Sequence, residues 1–274
     1  MMGDVIDVIF DSLGSTAVTD APLEVCPICG GKKEHIITFN GRMRKVPCMC
    51  RCDEAAYEEE KRKRQEEEDM RRLQEIRGAS LMDSKFYDAT FDKFQETASN
   101  GRNYQYCKRY AENFKRFLEE KQGLLFWGSV GTGKSYAAAC IANELLSKGT
   151  PVIMTSFVRV VDMFYADKET DIIARLNRAK LVVFDDLGAE RGTDYALEKV
   201  YDVVDSRYRS GLPMIVTTNM TMQDMRAETD IRYKRIYDRI FEMCYPMNFA
   251  GDSWRTSMAK SRFQRMDELM RGEA

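Results

Sequence analysis

The chain has 274 residues, and its 42 lysines and arginines nearly balance 44 aspartates and glutamates, for a formal net charge of -2. This length accommodates one large domain, or a core domain with a small appendage. The small net charge excludes a protein that coats nucleic acid with a uniformly basic surface, but not a local basic groove. The chain shows neither an apolar run long enough to span a bilayer nor a charged-then-apolar leader, so we expect a cytoplasmic protein.

The first twenty residues show a short apolar stripe. Two interpretations stand side by side: a short helix that packs on a partner or on the following module, and a partly ordered terminus. The stripe consists of Val5, Ile6, Val8, Ile9 and Leu13.

Five of the eight cysteines crowd into one segment, at Cys26, Cys29, Cys48, Cys50 and Cys52. Without a leader sequence, such crowding indicates a metal site rather than disulfide bonds. Tetrahedral Zn²⁺ takes four ligands, which two cysteine knuckles joined by a hairpin around Asn40-Gly41 supply. The first pair is Cys26 and Cys29, and for the second pair we favour Cys50 and Cys52. Cys48 is the reserve ligand, and His35, the only histidine, is a distant alternative.

Residues 53–79 are almost entirely charged and rich in helix-forming residues, with Gly78 placed to end a helix. Acidic and basic blocks at i,i+4 spacing are typical of a solvated helix, and the segment lacks the sustained apolar heptads of a coiled coil. We predict a linker helix here, with a partner-binding arm as the alternative.

The most specific motif follows the apolar run at residues 124–127 and fits G-x-x-x-x-G-K-[ST], the loop that wraps nucleotide phosphates. Its predicted nucleotide-binding residues are Gly128, Ser129, Val130, Gly131, Thr132, Gly133, Lys134 and Ser135. Lys134 is expected to reach the β and γ phosphates of ATP, and Ser135 to bind Mg²⁺. The aromatic residues upstream, Phe86, Tyr87, Phe91 and Phe94, are expected to form core and one wall of the adenine pocket.

Strand and helix patterns alternate after this loop, which indicates an α/β fold with a parallel sheet covered by helices on both faces. Strands are predicted at 151–155, 181–184 and 214–217, and helices at 136–146, 158–165, 171–179 and 195–210. The remaining residues, about 222–274, read as mostly helical and basic.

Two predicted strands end in polar residues suited to ATP hydrolysis. Asp185 and Asp186 follow an apolar strand, the Walker B arrangement, in which Asp185 holds Mg²⁺ and Asp186 activates the attacking water. Asn219 ends the next strand and is expected to hold the water or the γ-phosphate, the sensor 1 role. The competing interpretations are a polar strand end for the aspartates and a turn residue for Asn219.

Three arginines complete the candidate catalytic set. Arg235 and Arg239 lie four residues apart on one predicted helical face, and we expect Arg239 to be an arginine finger that reaches a neighbouring subunit, with Arg235 supporting it. Arg255 follows a glycine-containing turn and is expected to sense nucleotide within its own chain. The alternative is that these arginines form surface salt bridges.

The order of cysteine knuckle, charged helix, GSVGTGKS, VVFDDLGAE, VTTN, RIYDRI and DSWR resembles the DnaC/DnaI family of helicase loaders, which are AAA+ ATPases of bacteria and their phages. The resemblance covers nearly the whole chain. It implies that Lys134, Ser135, Asp185, Asp186, Asn219, Arg239 and Arg255 occupy the family's functional positions.

This resemblance implies a domain plan and partners. Residues 1–52 form a zinc-binding module that grips a hexameric replicative helicase, 53–79 a charged helical linker and 80–274 an AAA+ ATPase domain. ATP-bound subunits stack into an open spiral, and the ATPase region binds ATP and single-stranded DNA. Phe157 and Arg159 are candidate DNA contacts, although the same segment suits a buried helix face. The rival interpretations are an IstB-type transposition regulator, a nucleotide-switched adaptor with negligible hydrolysis, and a metabolic P-loop kinase.

Overall fold

A computed structural model describes residues 16–17, 22–39, 42–97, 100–189 and 192–271. The apolar stripe predicted near the start of the chain and the predicted turn at Asn40-Gly41 lie outside the described residues. The chain divides into two compact units, Met1–Arg71 and Arg72–Ala274. None of the described helices is long and apolar enough to cross a membrane.

The first unit contains a small antiparallel sheet and most of a long helix. Strands β1 (Thr16–Ala17), β2 (Glu34–Phe39) and β3 (Arg42–Pro47) lie in the order β1-β3-β2. Phe39 pairs with Arg42, so β2 and β3 form the predicted hairpin. Helix α1 (Arg51–Gly78) has no buried residue, and i,i+4 ion pairs such as Lys63 with Glu59 follow its surface. The charged segment is therefore helical and solvated, as its sequence pattern predicts.

The second unit is built on five parallel strands in the order β5-β6-β7-β4-β8. The strands are β4 (Gly123–Trp127), β5 (Val152–Ser156), β6 (Leu181–Leu187), β7 (Met214–Thr218) and β8 (Cys244–Asn248). The helices are α2 (Gly101–Glu112), α3 (Phe114–Glu119), α4 (Lys134–Ser147), α5 (Phe157–Ala166), α6 (Glu169–Arg178), α7 (Asp194–Ser210), α8 (Met222–Ala227), α9 (Ile231–Met243) and α10 (Trp254–Arg271). The predicted α/β fold with a helix-covered parallel sheet is confirmed.

Apolar side chains alternate between the two faces of this sheet. On β4, Leu124 and Phe126 join the core on the α4 side, whereas Leu125 joins the core on the side of α5, α7 and α9. Because both faces are covered, each inner strand carries an uninterrupted run of apolar residues, which made it recognisable in the sequence. All carboxyl ends of the strands meet at one edge, where the loops after β4, β6 and β7 converge.

Strand β8 and helices α2 and α3 were not predicted from the sequence. Among the described strands, β8 pairs only with β4, so it lies at the edge of the sheet, and only part of it is buried. Its Pro246 lacks a backbone N–H, which an edge strand tolerates and a central strand does not. The described part of the 222–274 segment is mostly helical, as predicted. These five residues are the exception, because their short and half-exposed pattern carries little periodicity.

Candidate functional site

The glycine-rich loop joins β4 to α4 in a conformation that glycine permits. Gly128, Gly131 and Gly133 have φ values of 129°, 83° and 93°, in the region that residues with a Cβ rarely adopt. A Cβ on Gly128 would also collide with the carbonyl oxygen of Phe249, and one on Gly131 with the hydroxyl of Ser253. The loop is thus packed against the segment that follows β8, and its backbone amides lead into the N-terminus of α4.

Lys134 is buried within this loop. Its ammonium group donates to the carbonyl oxygens of Gly128 at 2.8 Å and Ser129 at 2.7 Å. Burial lowers the pKa of Lys134, and the carboxylates of Asp186 and Asp185 oppose that shift. Lys134 therefore lies within electrostatic range of two adjacent acids that follow it in the sequence by about fifty positions. Ser135, one residue further along α4, is half-buried at the helix N-terminus, where the helix dipole favours anions.

The two aspartates lie at a bulge at the end of β6. The pairing of β6 with β7 shifts between Phe184 and Leu187, and Asp186 in between has a φ of 65°. Asp185 is half-buried and Asp186 is exposed. Oδ1 of Asp185 accepts a hydrogen bond of 2.6 Å from the hydroxyl of Thr217 on β7. Sequence reasoning did not identify Thr217, although it lies near the end of an apolar strand, two residues before the predicted sensor residue.

Asn219 lies directly after β7 and contacts the second acid. Its side-chain amide donates to Oδ1 of Asp186 at 2.9 Å. The residue before Asn219 is Thr218, whose hydroxyl donates to the carbonyl oxygen of Leu187 at 2.8 Å. This hydrogen bond joins the ends of β6 and β7. The structure therefore places the predicted water-activating acid and the predicted sensor in hydrogen-bonding contact.

Arg255 lies at the start of α10, beside the phosphate loop. The backbone N–H of Trp254 donates to the carbonyl oxygen of Gly131 at 2.9 Å, and the Ser253 side chain lies over the same glycine. The guanidinium of Arg255 is close enough to contribute to the lowered pKa of Lys134, although burial is the larger cause. This position suits the predicted sensing of nucleotide within the same chain.

Arg239 lies in a different setting from the predicted one. Its guanidinium forms a 2.5 Å ion pair with Asp205 of α7 and lies 4.6 Å from the ring centroid of Tyr201 and 5.6 Å from that of Tyr208. Only 20% of its side chain is exposed. Arg235, one turn earlier on α9, is exposed. In this conformation Arg239 is bound within its own chain, and its finger role stays a prediction.

One of the two candidate DNA contacts is a core residue, as the alternative of a buried helix face predicts. Phe157 is fully buried, with its ring stacked on Phe184 at a centroid distance of 4.9 Å and an interplanar angle of 19°. It is a core residue because the apolar face of α5 packs against the sheet. Arg159 stays half-exposed, but it donates to the carbonyl oxygen of Leu81 at 2.9 Å. Its contact with DNA stays a prediction.

The segment before the sheet packs on the phosphate-loop helix through an asparagine that the sequence analysis missed. Asn143 of α4 donates to the carbonyl oxygens of Phe86 and Ala89, each at 2.8 Å. An asparagine directly after the apolar run at residues 137–142 is the signal that could have identified it. Phe91 is buried and Phe94 half-buried, and the ring of Phe94 lies 6.0 Å from that of Tyr136. Phe86, Phe91 and Phe94 thus contribute to the core as expected, whereas Tyr87 is 63% exposed and does not. The adenine wall stays a prediction.

In the first unit, the structure brings together the four cysteines that the sequence analysis favoured. The Sγ atoms of Cys26, Cys29, Cys50 and Cys52 all lie within 4.8 Å of one another. The Sγ atom of Cys48 instead donates to the carbonyl oxygen of Lys32 at 3.3 Å, and His35 lies exposed on β2.

The chemistry of this cluster fits a structural zinc ion. Four thiolates around Zn²⁺ have Zn–S bonds of about 2.3 Å, which requires mutual sulfur distances of the kind found here. Among the free thiols, the backbone N–H of Gly31, followed by the Cys52 side chain, lowers the pKa of Cys29 to about 6. Against a hydrogen bond from the Asp53 backbone, burial and the neighbouring cysteines raise the pKa of Cys50 to about 12. Asp53 forms a 3.2 Å ion pair with Lys33 beside the cluster.

Three relatives share parts of this sequence. The chain is 25% identical over 244 residues to the phage-like element PBSX protein XkdC of Bacillus subtilis (strain 168), covering 83% of this chain and 82% of XkdC. It is 30% identical over 139 residues to the replicative helicase loader DnaC of Escherichia coli (strain K12), covering 46% of this chain and 54% of DnaC. It is 24% identical over 215 residues to the replicative helicase loader DnaI of B. subtilis (strain 168), covering 72% and 65%. The alignment with DnaC thus spans about half of that relative.

Solved structures show the same fold. A DnaI structure superposes with a TM-score of 0.52 at 23% identity, over 65% of this chain and 98% of that one. A DnaC helicase loader superposes with a TM-score of 0.53 at 23% identity, over 61% and 100%. Together with the strand order and the phosphate loop, these similarities identify an AAA+ fold. Residues 50–262, more than half of the chain, match the IstB-like ATP binding protein family, and the chain belongs to that family.

Proposed function

We propose that this protein is an ATPase that loads a ring-shaped replicative helicase onto single-stranded DNA. The observation that carries the catalytic part is the meeting of the phosphate loop, the Asp185–Asp186 bulge and Asn219 at one edge of the sheet. The loader role is supported by the similarity to relatives named as replicative helicase loaders, DnaC and DnaI.

The residues at this edge divide the work of ATP hydrolysis. Lys134 binds the β and γ phosphates, and Ser135 and Asp185 would hold Mg²⁺, which would supply positive charge to offset that of the phosphates. Asp186 accepts a proton from water as the water oxygen bonds to the γ-phosphorus. The bond from that phosphorus to the bridging oxygen breaks, and ADP and phosphate leave. Asn219 orients Asp186, and Arg255 contacts the nucleotide within the same chain.

Assembly would complete the site between subunits. Arg239 is our candidate arginine finger, and it must leave its ion pair with Asp205 to reach a neighbouring γ-phosphate. Arg235 supports it from the exposed side of α9. This geometry calls for a head-to-tail interface, and repeated copies of such an interface form an open spiral or a ring.

The first unit is our candidate for the helicase-binding module. Zn²⁺ held by the four clustered cysteines would keep the knuckles in place, with residues 1–52 as the module and 53–79 as the linker. Three large apolar side chains flank the clustered cysteines and are 56%, 84% and 59% exposed: Val25, Ile28 and Met49. Exposed apolar side chains on so small a module are suited to binding another protein.

The test is co-elution with the host's replicative helicase, measured by size exclusion with multi-angle light scattering in the presence of ATP. The full-length chain should form a complex, and the double variant Ile28→Asp, Met49→Asp should lose it. Met70→Asp is the matched control, because Met70 is 57% exposed on α1 and lies away from the cysteines in sequence. A wild-type chain that forms no complex would overturn the loader proposal.

The name of the matching family, IstB-like ATP binding protein, favours a transposition regulator as a second candidate function. A transposition regulator would bind double-stranded DNA and form no complex with the helicase. A nucleotide-switched adaptor would bind ATP and a partner but show no turnover above that of an Asp186→Asn variant. The same co-elution experiment, run with an ATPase assay, separates these outcomes.

A further inference from the structure

Thr217 lies on the central strand β7, opposite the bulge that carries the two aspartates. The β6–β7 ladder pairs Phe184 with Val216 and then Leu187 with Thr218. Two residues of β6, Asp185 and Asp186, therefore oppose one residue of β7. In a regular strand, consecutive side chains point to opposite faces, which would separate two adjacent carboxylates. A bulge changes the direction in which side chains point, so it allows Asp185 and Asp186 to depart from this alternation.

The single hydroxyl of Thr217 makes the two hydrogen bonds that close this bulge. It donates to Oδ1 of Asp185 at 2.6 Å and accepts the backbone N–H of Asp186 at 2.9 Å. Thr217 is fully buried, so water does not replace these bonds if they are lost. Asp186 has a φ of 65°, a conformation that a non-glycine residue keeps only where surrounding contacts hold it.

We propose that Thr217 is a positioning residue for ATP hydrolysis, holding the carboxylate of Asp185 and the main chain of Asp186 in the orientation that the two acids need. The proposal rests on the proposed ATPase function. Asn219 fixes the carboxylate of Asp186 at 2.9 Å, whereas Thr217 fixes its backbone. Loss of the hydroxyl frees the bulge, and small displacements of catalytic groups slow catalysis more than they weaken substrate binding.

The experiment measures steady-state ATP hydrolysis and the binding of a fluorescent ATP analogue on full-length variants. Thr217→Val keeps the side-chain shape but neither bond, and Thr217→Ser keeps the hydroxyl. Thr155→Val is the matched control, because Thr155 is a buried β5 residue whose hydroxyl has no hydrogen-bond partner among the described residues. Thr217→Ala is tested in parallel. For every variant, the hydrolysis rate is divided by the concentration of nucleotide-binding sites found by titration, so that unfolded protein does not lower the apparent rate.

Thr217→Val should lower kcat by about 10- to 100-fold while the dissociation constant for the ATP analogue changes by less than about threefold. Thr217→Ser should recover most of the rate, and Thr155→Val should match the wild type. A Thr217→Val rate within about twofold of the wild type would overturn the proposal. Equal losses of rate and affinity in both the valine and serine variants would also overturn it, since they indicate a packing defect.

Asp186→Asn distinguishes failure of this inference from failure of the proposed function. If the wild type hydrolyses no more ATP than Asp186→Asn, the ATPase proposal fails and the role of Thr217 fails with it. If the wild type is active, Asp186→Asn is inactive and Thr217→Val behaves as the wild type, only the role of Thr217 is refuted.

Discussion

The setting of Arg239 differs from that of the other predicted catalytic residues. Lys134, Asp185, Asp186 and Asn219 lie at the carboxyl edge of the sheet, whereas Arg239 is held between α9 and α7 by Asp205. Two tyrosine rings cover its guanidinium, which adds cation–π attraction to the ion pair. To act as an arginine finger, Arg239 must therefore leave Asp205 and the two tyrosine rings. The free energy lost with these contacts must be offset by binding to the nucleotide of the neighbouring subunit.

This arrangement leads to a complementation prediction. Arg239→Ala should lower ATP turnover by about 10³-fold, as loss of an arginine finger does in other nucleotide hydrolases. Mixing it with Asp186→Asn should restore part of the turnover. The second variant supplies an intact arginine, and the first supplies intact acids at the shared interface. The measurement is the ATPase rate across mixing ratios.

Arg235→Ala is the matched control for that experiment, because it removes an exposed arginine from the same helix. It should lower turnover less than Arg239→Ala does. An absence of rescue in the mixtures, with a lower melting temperature for Arg239→Ala, would show that Arg239 acts through its own-chain pair with Asp205.

Single residues also show where sequence reasoning fails. Phe157 was a candidate DNA contact because it is aromatic and close to Arg159, but the apolar face of α5 turns it into the core. Thr217 carries no sequence signal of its own, since threonine is common at the ends of strands. Its role depends on a bulge in the neighbouring strand, and a bulge is a property of strand pairing.

At the scale of elements, the cysteine knuckles show what spacing can and cannot predict. Cys26 and Cys29 are separated by two residues and followed by two glycines, so their pairing follows from the sequence alone. Three cysteines compete for the second pair, and the choice depends on the start of α1. In the structure, Cys50 and Cys52 lie beside the first pair, whereas the thiol of Cys48 donates a hydrogen bond to the backbone carbonyl of Lys32.

We predict that Cys50→Ser loses most of its zinc and Cys48→Ser keeps it. The wild type should contain about one zinc per chain, because a closed structural site holds one ion on four ligands. The measurement is metal content by inductively coupled plasma mass spectrometry after dialysis. Zinc loss in Cys48→Ser with retention in Cys50→Ser would instead make Cys48 the ligand.

At the scale of the whole molecule, the two compact units divide at Arg71, inside the charged helix rather than at its end. The predicted domain plan places the linker at 53–79, and its boundaries stay a prediction. The first unit is organised around the cysteine cluster and the second around its packed parallel sheet. We therefore expect the second unit to keep its fold when zinc is lost from the first.

Self-association should depend on bound ATP. Asp186→Asn should bind ATP without cleaving it and therefore accumulate as an oligomer of several subunits, measured by multi-angle light scattering. The same variant with ADP should be smaller, because the γ-phosphate that an arginine finger contacts is missing. Lys134→Ala is the control, since it weakens ATP binding itself. A mass that is independent of the nucleotide would contradict the spiral assembly.

From the amino-acid sequence alone we predicted the glycine-rich loop, the paired aspartates and Asn219 at the ends of strands, and the helix-covered parallel sheet. These features follow from local patterns: glycine spacing, apolar strands of continuous hydrophobicity and the polar residues that end them. The tertiary structure alone decided the edge strand β8, the ion pair of Arg239 and the two hydrogen bonds of Thr217. Each of these depends on contacts between residues far apart in the chain, which local periodicity does not encode.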